Sequence, residues 1–428
     1  MKRYFFIIIA LFACAQLSRA QQKLSLADAM EYAAKNRYDA QADRIDVNLA
    51  ENAVGKSRNE WIPEITAGGE VLYNAKLQTM IFDTGEEFQM GTRNLTTLGI
   101  ELNQPVFKPG LSTGIKISKA ALSVRKEALR EKENDIKMYV VEAYLNVILR
   151  EQQLKLSEES TERHKSYFDL ARDKMQLGTI LESELLQART DYENAQTDLQ
   201  KARQNYGLAM KKLKYQLNLP DAEKLVLTDS LPALLKNSPV QARDANIEDR
   251  PELRQLYFSQ QENDLRLKKS DMMWLPTVSL IANYTTEFQA SNFNYSQQFW
   301  FPYNYVGLKA SFPLSNIFKL RTDRREYKLK SSQLAMQYSQ QQHDINYEVD
   351  KCNTELLNAV GNINSTGKTL DLSKELYLQQ LAIYKLGTVT YSALLDAESS
   401  VNTARQNYIS AVYDYLIAFY NCKKTGVF

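Results

Sequence analysis

The chain has 428 residues, 44% hydrophobic and 24% charged, with a formal net charge of only +2. That near-balance of 53 basic and 51 acidic side chains excludes the strongly basic surface that nucleic-acid binding needs. Beyond the first twenty residues no stretch is apolar enough to cross a membrane as a helix, so a membrane role would require a closed β-barrel, the other structure that pairs every backbone polar group in lipid.

In chain order, Lys2 and Arg3, an apolar run over residues 4–17, and Ser18-Arg19-Ala20 read as a signal peptide, 1–20, cleaved after Ala20. Lipidation of Cys14, in the lipobox-like Leu11-Phe12-Ala13-Cys14, is the alternative. Cleavage removes Lys2, Arg3 and Arg19 and no acids, so 53 basic groups become 50 against 51 acidic ones, a net charge of −1. Residues 24–59 carry Leu26, Ala29, Met30, Ala33 and Ala34 at helical spacing, and Pro63 ends that helix. The period then becomes two over 64–73 and 96–105, predicting two strands. From 115 to 177 no proline interrupts a run rich in helix formers, which predicts a helix about 90 Å long at 1.5 Å per residue. Leu177-Gly178-Thr179 then reverses the chain, since glycine tolerates the positive φ that ends a helix.

After a linker at 220–246, the order of landmarks repeats, so residues 21–219 and 247–428 read as two copies of one unit. Trp61-Ile62-Pro63 recurs as Trp274-Leu275-Pro276, and Arg37 as Arg250, both 213 residues on. Leu177-Gly178-Thr179, with Leu185-Leu186 and Ala188, recurs 209 residues on as Leu386-Gly387-Thr388, with Leu394-Leu395 and Ala397. Alternation over 277–284 and 304–312 predicts the second strand pair, and 318–386 the second long helix. Aromatic residues Phe288, Phe293, Tyr295, Phe299, Trp300, Phe301 and Tyr303 crowd the loop between those strands, as suits a membrane interface. A soluble sheet packed on one face is the competing reading. Four strands cannot close a barrel, which takes about eight. A membrane-spanning form must therefore be shared among several chains.

Little chemistry is encoded. His164 and His343 lack partners at metal-ligand spacing and read as surface histidines. Nucleophile motifs, phosphate loops and dinucleotide fingerprints are missing, so no enzyme, cofactor or metal is expected. Cys352 and Cys422 lie 35 residues before and after Gly387 and so at similar height on a hairpin turning there. Packed helix axes about 8–10 Å apart commonly hold Cα atoms too far apart to bridge. Two buried thiols are expected, with a disulfide as the alternative in an oxidising compartment.

The chain resembles the TolC family of outer-membrane efflux proteins. The resemblance is carried by Leu24-Ser25-Leu26-Ala27-Asp28-Ala29, by Arg250-Pro251-Glu252-Leu253, by the two Trp-x-Pro entries to the strands, and by the two Leu-Gly-Thr tips followed by Leu-Leu-x-Ala. It implies a homotrimer sharing a twelve-stranded outer-membrane barrel, four strands per chain, that continues into a periplasmic α-helical barrel. It implies a passive export duct of a tripartite efflux or type I secretion system, docked to a periplasmic adaptor and an inner-membrane pump. The tips at Leu177, Gly178, Thr179, Leu386, Gly387 and Thr388 would contact the adaptor, and Asp396 would narrow the entrance. Two charged positions that accompany that acid in the family are Ala393 and Val389 here, so the resemblance does not carry the family's charged lock over to this chain. The alternatives are a periplasmic adaptor, which carries one helical hairpin and a glycine-richer β-domain, and a structural coiled-coil protein of the envelope, which would not need four matched strands.

Overall fold

A computed structural model describes residues 22–238, 247–296, 300–386 and 388–426. The segment expected to be a signal peptide, with Cys14 and Ala20, part of the expected linker, Phe299 and Gly387 lie outside the described residues. In chain order the elements are β1 (Gln22–Leu24), α1 (Leu26–Asn36), α2 (Tyr38–Asn59), β2 (Glu64–Tyr73), β3 (Gln78–Ile81), β4 (Glu87–Met90), β5 (Asn94–Phe107), α3 (Leu111–Gln176), α4 (Glu182–Leu217), β6 (Leu225–Leu227), α5 (Leu231–Lys236), a 3-10 turn (Ile247–Asp249), α6 (Pro251–Met272), β7 (Thr277–Ala290), β8 (Trp300–Ser311), α7 (Asn316–Lys385) and α8 (Tyr391–Lys424). None of the described helices is long and apolar enough to cross a membrane. The chain divides into two compact units, and each draws on both halves of the sequence.

The first unit comprises Met1–Ile45, Glu127–Arg254 and Gln340–Phe428. Helix α1 starts at a capping box, where the Ser25 hydroxyl accepts from the Asp28 N–H and the Asp28 carboxylate accepts from Ser25. Its Leu26, Ala29, Ala33 and Ala34 are buried at helical spacing. The single helix expected over 24–59 is broken at Arg37, which takes an extended ψ of 139° while its N–H still bonds Ala33 O. The break lets the Arg37 guanidinium grip Asp39 at 2.9 and 3.0 Å. Burial opposes ionisation of Asp39, but hydrogen bonding to Arg37 is the larger effect and holds its carboxyl below the usual range. The linker contributes β6, which pairs in parallel with β1. Tyr144, fully buried, locks that ribbon: its hydroxyl lies 3.0 Å from both Leu24 O and the Asp229 carboxylate, which also accepts from the Leu26 N–H at 2.7 Å. Around Tyr144 a core of Ile136, Val140, Ile148, Leu213, Leu217 and Leu416 excludes water.

The second unit comprises Asp46–Lys126 and Gln255–Ser339 and is built on a four-stranded antiparallel sheet in the order β2-β5-β7-β8. Three strands run longer than the alternation predicts: β5 spans 94–107, β7 runs on to Ala290 and β8 begins at Trp300. Within the loop of the first hairpin, β3 and β4 form a separate small ribbon. Gly99 sits mid-strand between β2 and β7, where a Cβ would lie 2.7 Å from Thr285 Oγ1. That close approach explains why a strand interior carries a residue that otherwise weakens strands.

Candidate functional site

The register sorts the sheet into two chemically different faces. Directly opposed residues share a face, so Ile65, Leu102, Ala282 and Val306 form one row and Ala67, Ile100 and Tyr284 continue it. The other face carries Thr66, Glu101 and Asn283, and then Glu70, Thr97 and Glu287. Much of the apolar side is uncovered: every residue of β2 is exposed, as are Ile100, Val306 and Leu308, while Val278, Leu280 and Ala282 on β7 are half-buried. A soluble sheet would bury one face, and this sheet does not. It also ends in two edges, β2 and β8, each presenting a row of backbone N–H and C=O groups without a neighbouring strand among the described residues. At one end Phe288 is fully buried against Tyr295 and Trp300, with ring centroids 4.9 and 5.4 Å away.

The two hairpin turns have the same construction. At the first, Gly178 has a φ of +69° and the Thr179 N–H reaches back five residues to Lys174 O at 3.0 Å, with its hydroxyl on the same carbonyl at 2.9 Å. At the second, the Thr388 N–H and hydroxyl both bond Ile383 O, at 3.4 and 3.1 Å. Each threonine thus caps the helix before it. Each turn also thrusts its triplet leucine into solvent: Leu177 is 78% exposed and Leu386 79%. Behind the turns Tyr167, Ala171, Ala188, Tyr384, Tyr391 and Leu394 form a second buried cluster. The Tyr167 and Tyr377 hydroxyls lie 2.8 Å apart, and burial followed by that hydrogen bond raises the Tyr167 pKa well above the usual phenol range.

Asp396 is exposed on α8 and lines a cavity of about 530 Å³ together with His164, Asp191, Asp198, Glu398 and Asn402. Four carboxylates therefore face this space. Sequence reasoning missed Glu398, which is only 2% exposed, and its partner Arg163 on α3. Arg163 donates from Nε to Glu398 Oε1 at 2.8 Å and from Nη2 to Asn402 at 3.0 Å, while Glu398 Oε2 has no partner. His164 is not the surface residue expected: its side chain is largely buried, 4.0 Å from Glu398 Oε1 and edge-on to Tyr167. His343 is exposed, as expected. The described residues hold no group of His, Cys, Asp or Glu that could bind a metal.

An exposed two-faced sheet and paired helical turns fit the wall and ends of a pore, and comparison with known proteins decides the matter. The sequence profile described as outer membrane efflux protein matches residues 29–218 and 243–422, most of the chain. The chain belongs to the outer membrane efflux protein family. It is an outer-membrane channel subunit serving export. It is similar to the alkaline protease secretion protein AprF of Pseudomonas aeruginosa, 20% identical over 324 residues, which span 75% of this chain and 67% of that protein. The CusC transmembrane channel shares the fold with a TM-score of 0.74 at 18% identity, over 94% of this chain and 92% of CusC. The Campylobacter jejuni outer membrane channel CmeC does so with a TM-score of 0.71 at 17% identity, over 94% and 85%.

Other motif residues of this efflux-family chain act as joints. Arg250 is buried and binds Glu252 through Nε and Nη2, at 3.1 and 2.9 Å, and Glu348 at 3.2 Å. Burial is the largest single influence on the Glu252 carboxyl and pushes it up, but the Arg250 hydrogen bonds, a backbone hydrogen bond and the charges of Arg250 and Lys424 together hold it below its ordinary value. Asp249, bound by Arg130 and Arg254, is likewise lowered, chiefly by its hydrogen bonds to Arg130. The cysteines lie closer than helix packing alone suggested: the Cα atoms of Cys352 on α7 and Cys422 on α8 are 5.5 Å apart.

Proposed function

We propose that three copies of this chain close their sheets edge to edge into a twelve-stranded barrel in the outer membrane, and that their helical hairpins form a periplasmic barrel beneath it. The observation that carries this reading is the four-stranded sheet, apolar and largely uncovered on one face, polar on the other, with both edges unpaired among the described residues. In lipid the edge groups of β2 and β8 require partners, and β8 of one copy against β2 of the next supplies them without leaving an edge. The duct is passive: it offers a path and performs no catalysis.

The turns at Leu177-Gly178-Thr179 and Leu386-Gly387-Thr388 dock to a periplasmic adaptor, which couples the duct to an inner-membrane pump. Exposed Leu177 and Leu386, held by rigid caps, are apolar knobs of the kind that seat in a partner's groove. Asp396 forms an acidic ring at the entrance, supported by Asp191, Asp198 and Glu398 along the same cavity. Such a ring admits cations in preference to anions.

The test is a purified, detergent-extracted protein in planar bilayers. The expected outcome is a particle of three chains with cation-selective conductance, and Asp396→Ala lowers both the selectivity and the block by multivalent cations. A monomer without conductance refutes the channel architecture. Unchanged selectivity in Asp396→Ala refutes only the acidic ring.

A further inference from the structure

We infer that Cys352 and Cys422 are joined by a disulfide in the exported protein, and that this cross-link clamps α8 to α7 at the root of the hairpin while leaving its tip free to move. The clause about tip movement rests on the docking role proposed for the turn at Leu386 to Thr388; the bridge itself does not.

Four observations converge. Apart from Cys14 in the signal peptide, the sequence holds no other cysteine. The two are equidistant from Gly387, and their Cα atoms lie 5.5 Å apart, inside the range a disulfide spans. Both side chains are buried, Cys352 at 5% exposure and Cys422 at 0%. The interface that brings them together alternates small and large residues at matched distances from the turn. Leu356 and Ala418 are each 31 residues from Gly387, and Ala359 and Tyr415 each 28. All four are buried in one core with the cysteines.

The chemistry balances as thiol–disulfide exchange. One cysteine thiolate attacks the disulfide of an envelope oxidant, forming a mixed disulfide and releasing one oxidant thiol. The second cysteine thiolate then displaces the other oxidant thiol, leaving Cys352–Cys422 oxidised and the oxidant reduced by two electrons. An exported protein folds where such oxidants persist. Because both sulfurs are enclosed once the core forms, exchange has to precede closure of the core, and the finished bridge is shielded from reductants in the native state.

Placement gives the cross-link its role. The bridge sits near the C-terminal end of α8, where Lys424 pairs with Asp135 at 2.6 Å and the Thr425 hydroxyl bonds Cys422 O. Helix α8 is therefore tied to both α7 and α3 at its root. At the other end the Leu386 and Thr388 side chains are exposed, above a smaller buried cluster that includes Tyr167, Tyr384, Tyr391 and Leu394. Displacement of the tip bends the hairpin between tip and bridge and does not slide one helix along the other.

The test alkylates protein isolated from the envelope with a maleimide in denaturant, with and without prior reduction, and reads the mass. No label without reduction and two labels after it are expected; two labels without reduction overturn the inference. Native protein should resist a reductant that opens the bridge in denaturant, and equal reduction in both conditions overturns the shielding. A Cys352→Ser/Cys422→Ser variant separates bridge from fold. Its channel conductance should be retained while amide exchange over residues 412–424 quickens about tenfold. Unchanged exchange overturns the clamp. Loss of conductance in the wild-type protein would refute the channel reading and leave the labelling result standing.

Discussion

Replacing Arg163 by Met should release α3 from α8 near the hairpin turns. The Glu398 side chain is 3% exposed, and Arg163, 25% exposed, is its ion-pair partner at 2.8 Å. Removing one partner of a buried pair costs about 3–5 kcal/mol, because the remaining charge stays desolvated. Partial exposure of Arg163 puts the cost at the lower end, about 3 kcal/mol, or roughly a hundredfold in the local opening equilibrium. Glu398→Gln keeps the shape, removes the charge and leaves Arg163 able to reach water, so it should cost only about 1 kcal/mol. Arg163→Met with Glu398→Leu removes both charges and the unpartnered Glu398 Oε2, so the double variant should sit within about 1 kcal/mol of wild type. Hydrogen exchange of peptides covering residues 159–168 and 394–405 reads all three against wild type. If the double variant opens as readily as Arg163→Met, the single-variant loss is packing and not a stranded charge, and the reasoning is refuted.

Tyr144→Phe deletes the hydroxyl that binds Leu24 O and Asp229; it should cost about 1–2 kcal/mol and expose residues 22–26 to protease, measured by cleavage rate. In the sheet, Gly99→Ala forces Thr285 to rotate away from its 2.6 Å bond to Asn283 Oδ1. It should lower the temperature at which the oligomer dissociates in SDS, by about 1 kcal/mol of stability, with Gly68→Ala as a control because open space surrounds that glycine. Asp249 and Glu252 have carboxyls lowered from ordinary values of 3.8 and 4.5. Their stabilisation is present above those values and is lost as pH falls through the lower folded-state ones, so protection from exchange at the start of α6, taken relative to the intrinsic rate at each pH, should fall below pH 4.5 and stay flat between pH 6 and 8.

Much of the architecture was legible because it is written in periods. Alternation located β2 to the residue, and the proline-free runs located α3 and α7 to within a turn. What failed was local or tertiary. The break at Arg37 lies inside an unbroken helical pattern and arises from the Asp39 grip and from packing of α1. Strands β1, β3, β4 and β6 are three or four residues long, too short for a period to register, and β1 and β6 pair across two hundred residues. Glu398 and Arg163 looked like ordinary charges on a solvated helix face; only their meeting across α3 and α8 marks them, and no spacing within one helix encodes that. The Leu-Gly-Thr triplets signalled a turn, while the way each threonine caps the preceding helix needed coordinates.

The ribbon of β1 with β6 also bears on biogenesis. In a chain exported from its N-terminus, Gln22–Leu24 precede their partners, Leu225–Leu227, and the Asp229 carboxylate that receives the Leu26 N–H by some two hundred residues. Throughout that interval an adhesive strand and the apolar stripe of α1 travel without their final neighbours, the circumstance in which wrong pairings between chains are made. Safe passage therefore depends on whatever escorts the unfolded polypeptide through the envelope, and a segment that emerges early is among the last to be secured.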